Sequence, residues 1–209
     1  MGAWEGPPPP YRIETERLVV RCYEPRDAAL VKDAIDTSLE HLRAWMPWVE
    51  GEPQTLEEKT NLLKTFRSAF DLGENFVMGI FSADESEVIG GTGLHPRNEP
   101  GGLEIGYFIR ASATRQGYVT ESTAALTRVG FEICEADRIE IRIDPANEAS
   151  IGVPLKLGYT EEATLRRRLP AKAGGPLRDV TLYTLFREDF DPAIAPVLRA
   201  FDGSGRQIL

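Results

Sequence analysis

Three runs between Asn75 and Arg110, NFVMGIFS, EVIGGTGLH and GLEIGYFIR, are apolar, β-branched and aromatic, and are parted by short polar or Gly/Pro turns. Strands joined by tight turns pair antiparallel, so these runs predict a meander. The segment beyond Arg110 excludes a strand-only domain. From Thr120, the residues Ser122, Ala125, Leu126, Val129 and Ile133 recur at helical spacing, so the third run leads through the loop ASATRQG into a helix ending near Cys134. DRIEIRID alternates as a strand, NEASIGVPLKLG reads as a helix stopped by Gly158, and YTEEATLRRRL and DVTLYTLFR are strands around the loop PAKAGGPLR.

Upstream, ERLVVRCYEP is a strand stopped by Pro25, and RDAALVKDAIDTSLEHLRAWM holds two short helical patterns broken near Asp36 to Ser38. Thr55 and Glu58 have capping-box spacing, with Leu56, Leu63, Phe66 and Phe70 on one helical face and Gly73 as the stop. The order predicts a mixed α/β domain: one central, mostly antiparallel sheet of about seven strands flanked by helices. A chain of 209 residues, 42% hydrophobic, suits one core. The expected division is a flexible Pro-rich arm over 1–13, containing PPPP, a catalytic body over 14–190 and an extension over 191–209.

The opening MGAWEGPPPP lacks the basic and apolar regions of a secretory signal, and Gly6 stands where myristoylation wants Ser or Thr. No run of about 18 apolar residues predicts a membrane span. A net charge of −9 disfavours nucleic acid as a partner and favours a cationic or amine-bearing one. Cys22 and Cys134 are too few and too distant for a disulfide framework, and His41 and His95 lack ligand spacing, so reduced thiols, no metal and a cytoplasmic location are expected.

The stretch ASATRQGYVTEST places one glycine between a basic dipeptide and a helix start. Free amides at a helix N-terminus suit a pyrophosphate, and a glycine allows close approach. The cluster GGTGLHP leads to Pro96 rather than to a helix, so it is no dinucleotide fingerprint.

EIGYFI, TRQGYVTEST and NEASIGVPLKLGY together resemble the GNAT acyltransferase superfamily, in its RimJ/RimL-type branch of N-acetyltransferases. ETERLVVR, LRAWMPWV, VIGGTGLH and GYTEEATLRRRL match in family order, from about Glu14 to Arg187. The resemblance implies the GNAT fold, with acetyl-CoA or another acyl-CoA along Leu103 to Ile109. It implies coenzyme contacts from Phe108, Ile109, Arg110, Arg115, Gln116, Gly117, Tyr118, Val119, Thr120 and Asn147. Thr114 and Val119 depart from the family's phosphate-loop pattern, and Val119 crowds the phosphate. Asn147 and Ser150 match the second motif, although both also suit helix caps. Pro154 occupies the place where many GNAT enzymes keep a thiolate-protonating tyrosine, and Tyr159 stands at the usual aromatic core position.

An amine attacks a thioester only when neutral, while an α-amine has a pKa near ~8 and a lysine one near ~10.4. A base is therefore useful, and Glu104, on the strand beside the acyl group, is the candidate. Ser150 or a water is the candidate proton donor to the thiolate, and an amide near Phe108 or Ile109 the oxyanion donor. Trp45, Met46, Pro47 and Trp48 are either core or the acceptor wall, with His95 a further substrate-side candidate. Arg166 and Arg168 are expected on one strand face, and Cys134 in the core. The expected acceptor is a protein N-terminus or a small amine, the acyl group acetyl with succinyl as the alternative, and the assembly a monomer or homodimer. A non-catalytic coenzyme-A sensor or partner-binding module is the rival.

Overall fold

The computed structural model describes residues 4–97, 100–171 and 175–209. Among the described residues there are nine strands: β1 (Arg12–Glu14), β2 (Leu18–Cys22), β3 (Phe76–Ser82), β4 (Val88–Pro96), β5 (Gly102–Ile109), β6 (Arg138–Ile143), β7 (Thr160–Leu169), β8 (Arg178–Phe186) and β9 (Arg199–Phe201). They form one sheet, ordered β7-β8-β6-β5-β4-β3-β2-β1-β9, and among the described residues only the β5–β6 pairing is parallel. The helices are α1 (Ala28–Asp36), α2 (Leu39–Arg43), α3 (Leu56–Asp71), α4 (Tyr118–Glu132) and α5 (Glu148–Lys156). Each helix expected from periodicity is present. None is long and apolar enough to cross a membrane among the described residues.

Strand alternation divides the core between two faces. Met78, Ile80, Leu94, Leu103 and Ile105 pack with Ala125, Leu126 and Val129 of α4. Val19, Phe81 and Val88 pack with Val31, Ile35 and Leu63 of α1 and α3. The capping box of α3 forms as expected, Glu58 N donating to Thr55 Oγ1 and Thr55 N to Glu58. Leu56, the first residue of that helix, is exposed rather than part of its buried face.

The sheet has nine strands rather than about seven because β1 and β9 extend one edge beyond the expected boundaries. Three-residue strands carry too little alternation to be read from sequence. The Pro-rich arm is laid on the body: Trp4 N donates to Gly73 O, Pro9 and Pro10 are buried, and the Tyr11 ring lies 4.8 Å from that of Phe70. The regular alternation behind the expected sharing of a face by Arg166 and Arg168 is interrupted. Arg167 has φ +56° and the β7–β8 register shifts between Leu165 and Leu169, which breaks the alternation. Of the PAKAGGPLR loop, residues 172–174 lie outside the described residues.

Candidate active site

β5 and β6 pair only from Gly102 to Glu104, with Arg138 to Glu140 as partners, and then diverge. On its other side β5 stays paired with β4 along its length. Arg110 N donates to Ile89 O, and amides of an extended strand alternate between edges, so those of Tyr107 and Ile109 point into the gap. Tyr107 reaches across it: its Oη donates to Ser150 O at 3.2 Å, tying β5 to the first turn of α5. Burial pushes the Tyr107 hydroxyl well above its ordinary pKa, so it stays a donor.

At the end of β5, a turn over Ala111–Ala113 leads to Gly117, whose φ of +81° is a left-handed value natural to glycine. Ala111 N donates to Ser38 Oγ at 3.0 Å, which fixes the turn to the α1–α2 corner. No side chain caps α4, and the amides from Arg115 to Thr120 have no partner among the described residues. Four such donors are orphaned at any helix start, and here they carry the positive end of a 15-residue helix. Arg17, unremarked in the sequence, adds a cation: its guanidinium pairs with Glu121, donates to Gln116 O at 3.1 Å and lies 4.8 Å from the Tyr118 ring centroid.

On the opposite face, a cavity of about 470 Å³ opens over Gly106, Tyr107 and Phe108 of β5. Tyr23, Val31, Met46, Trp48, Phe66 and Val77 give it an apolar and aromatic wall. Trp48 meets Phe108 edge to face, centroids 5.2 Å apart, and remains 43% exposed. Besides Gln54 and Thr92, two polar features interrupt the wall. Lys59 and Glu52 form a buried ion pair, and Glu52 also accepts from Gln54 N at 2.9 Å. His95 bonds through Nδ1 to Asn75 Oδ1 at 2.6 Å, and its ring lies over Gly93 and Gly106, where a Cβ would approach it to 2.9 and 3.3 Å.

The structure brings Ile109 and the Arg115–Thr120 amides to one edge, and Trp48, Phe108 and His95 to the cavity. Phe108 and Arg110 depart from their expected coenzyme contact. Their amides belong to the β4 edge, the Phe108 ring faces the cavity, and Arg110 Nη2 lies 3.2 Å from Asp33 of α1. Trp45 does not line the cavity, because the turn begun by Pro47 brings Trp48 inward instead. Asn147 is the N-cap of α5, its Oδ1 accepting from Ser150 N at 3.3 Å.

Glu104 sits at the closed end of the gap, clamped by Arg97 at 2.5 Å and by Arg142 at 3.0 Å. Its oxygens are turned to guanidinium groups, and it is not among the cavity residues. Cys134 is buried in the core, and burial pushes its thiol up to about 12. Sequence reading missed Glu52, Lys59, Asn75 and Tyr107 in the site. A lysine on the apolar face of α3 was the available signal for one of them.

A family model described as an acetyltransferase (GNAT) domain matches residues 17–160. The chain is 27% identical over 190 residues to the [Ribosomal protein uS5]-alanine N-acetyltransferase of Escherichia coli (strain K12), covering 88% of this chain and 95% of that one. It is 26% identical over 176 residues to the uncharacterized N-acetyltransferase YoaA of Bacillus subtilis (strain 168), covering 84% and 96%. A solved structure of Mycobacterium smegmatis RimJ in complex with CoA-disulfide superposes with a TM-score of 0.73 at 22% identity, covering 90% and 91%.

Proposed function

The chain belongs to the GNAT acetyltransferase family, and from that premise we propose that it moves an acetyl group from acetyl-CoA to the α-amine of a protein N-terminus. The observation that carries this reading is the row of unpartnered amides at α4, set at the end of a strand whose other face floors an apolar cavity. The Mycobacterium smegmatis relative holds a CoA-disulfide, and the Escherichia coli relative acts on an alanine of a ribosomal protein. Both support the choice of coenzyme and acceptor, and such an acceptor places the chain in the cytoplasm.

Acetyl-CoA supplies a thioester whose carbonyl carbon an amine attacks. The residues fit it. Amides from Arg115 to Thr120 bind the pyrophosphate with the positive end of α4, and Gly117 keeps the approach open. The pantetheine arm follows the β5 edge toward Asn147 and Ser150. Ile109 N–H points into the gap and serves the developing oxyanion. The cavity takes the first residue of the acceptor, its side chain against Trp48 and Phe108, and its amine toward Gly106.

Calorimetry with acetyl-CoA, followed by mass spectrometry of peptides bearing free alanine, serine and phenylalanine N-termini, tests the reading. A 1:1 binding isotherm and acetylated peptides are expected. Acetylation of small amines alone would replace the protein acceptor by a small one, and binding without any turnover would favour a coenzyme-A sensor.

Trp48→Ala is expected to raise the KM of a peptide acceptor about tenfold, or 1.4 kcal/mol, while the Kd of acetyl-CoA stays within a factor of two. The ring is 43% exposed, so its loss leaves the fold standing. A variant that unfolds, or that keeps the parent KM, removes Trp48 from the acceptor wall.

A further inference from the structure

We propose that His95 is the group that takes the proton from the attacking amine, and that Asn75 positions it. The inference rests on the acetyl-transfer reading and adds a residue to it. An amide oxygen can only accept, so Nδ1 carries the proton in its 2.6 Å bond to Asn75 Oδ1. Nε2 is then left as a lone pair, with no partner among the described residues, on a ring that lines the cavity. The ring lies against Gly93 and Gly106, two positions without side chains, and is thus open toward the stretch of β5 where the gap begins.

The other candidate base is occupied. Glu104 stands opposite His95 across the β4–β5 ladder, but its carboxylate is held by Arg97 and Arg142. The charged and titratable groups facing the cavity beside His95 are the Lys59–Glu52 pair, Tyr23 and Tyr107, whose hydroxyl is engaged by Ser150 O, and α1 contributes only Val31 and Ile35. Burial first, and Arg97 second, hold the imidazolium pKa down to about 4, so the ring is unprotonated at neutral pH. Such a base does not strip a free ammonium ion. It acts once the amine nitrogen has bonded to the carbonyl carbon, when that nitrogen becomes strongly acidic.

The step balances. The N–C bond forms, the C–S bond breaks, and one proton leaves nitrogen for Nε2 and passes on to the thiolate, giving amide and thiol. Because His95 is already a base across the working range, the rising limb of kcat/KM follows the acceptor's own ammonium. That limb should move up by about two and a half pH units between an α-amine and an alkylamine acceptor.

The test uses the full chain, acetyl-CoA and a tetrapeptide amide with a free alanine N-terminus. His95→Ala and His95→Gln are expected to lose about a hundredfold in kcat with the Kd of acetyl-CoA unchanged, and added imidazole should restore part of the His95→Ala rate. Asn75→Ala should lose about tenfold and the Nδ1–H tautomer signature in ¹⁵N spectra. A folded His95→Ala within threefold of the parent, or a slow one that imidazole does not rescue, overturns the inference alone. A parent that binds acetyl-CoA but acetylates no amine overturns the reading beneath it and the inference together.

Discussion

Lys59→Met is expected to cost about 3–5 kcal/mol of folding free energy. The Lys59 ammonium is wholly buried against Glu52, which is itself 9% exposed, and the rest of Glu52 is engaged by the Gln54 amide. Methionine fills nearly the same volume, so the loss comes from leaving a carboxylate buried without its counter-charge rather than from a cavity. The double variant Lys59→Met/Glu52→Gln removes both charges and should regain most of the loss, because the Coulombic gain of a buried pair is largely offset by its desolvation. Urea unfolding of the four proteins in this cycle provides the measurement. A single variant costing under about 1 kcal/mol would mean that water reaches the carboxylate through the cavity and screens it.

That pair shows what the sequence conceals. Periodicity placed α3, its capping box and its buried Leu63 and Phe70, since each depends on neighbours within a few residues. The place of Lys59 on the apolar face of α3 is legible, but nothing local announces that its partner is a glutamate across a proline-containing turn. The same limit applies to Glu104. Its place on β5 is legible from alternation, but its two arginines arrive from β4's end and from β6, and only the folded sheet brings them to one carboxylate.

Contacts through backbone were more legible than contacts through side chains. TRQG before a helical pattern marks a loop running into a helix start, and Gly117 adopts the left-handed φ that glycine permits. The place of His95 near the end of a strand is legible in the sequence. Its orientation needed Asn75, Gly93 and Gly106, which come from three segments of the chain. The β1–β9 edge was missed for another reason: three-residue strands are held by pairing with neighbours, not by pattern.

Gly117→Asp should weaken acetyl-CoA binding about a hundredfold, equivalent to 2.7 kcal/mol. A Cβ at Gly117 meets only Arg17 Nη2, at 3.5 Å, so there is room for the side chain and the effect is not steric. Strain from φ +81° is of order 1–2 kcal/mol and falls on free and bound protein alike. What changes binding is the carboxylate. It stands beside the amides that a pyrophosphate needs, draws Arg17 toward itself, and repels each phosphate charge by about 3 kcal/mol at 5 Å and an effective dielectric of ~20, before salt screening. Gly117→Ala carries the same backbone strain without the charge and should bind within about fivefold of the parent. Calorimetry at low and high salt separates the two contributions, because only the Asp penalty shrinks as salt is added. If Gly117→Asp binds as the parent does while remaining folded, the pyrophosphate lies elsewhere along β5. If Gly117→Ala falls as far as Gly117→Asp, backbone freedom at this turn, rather than its field, is what the coenzyme requires.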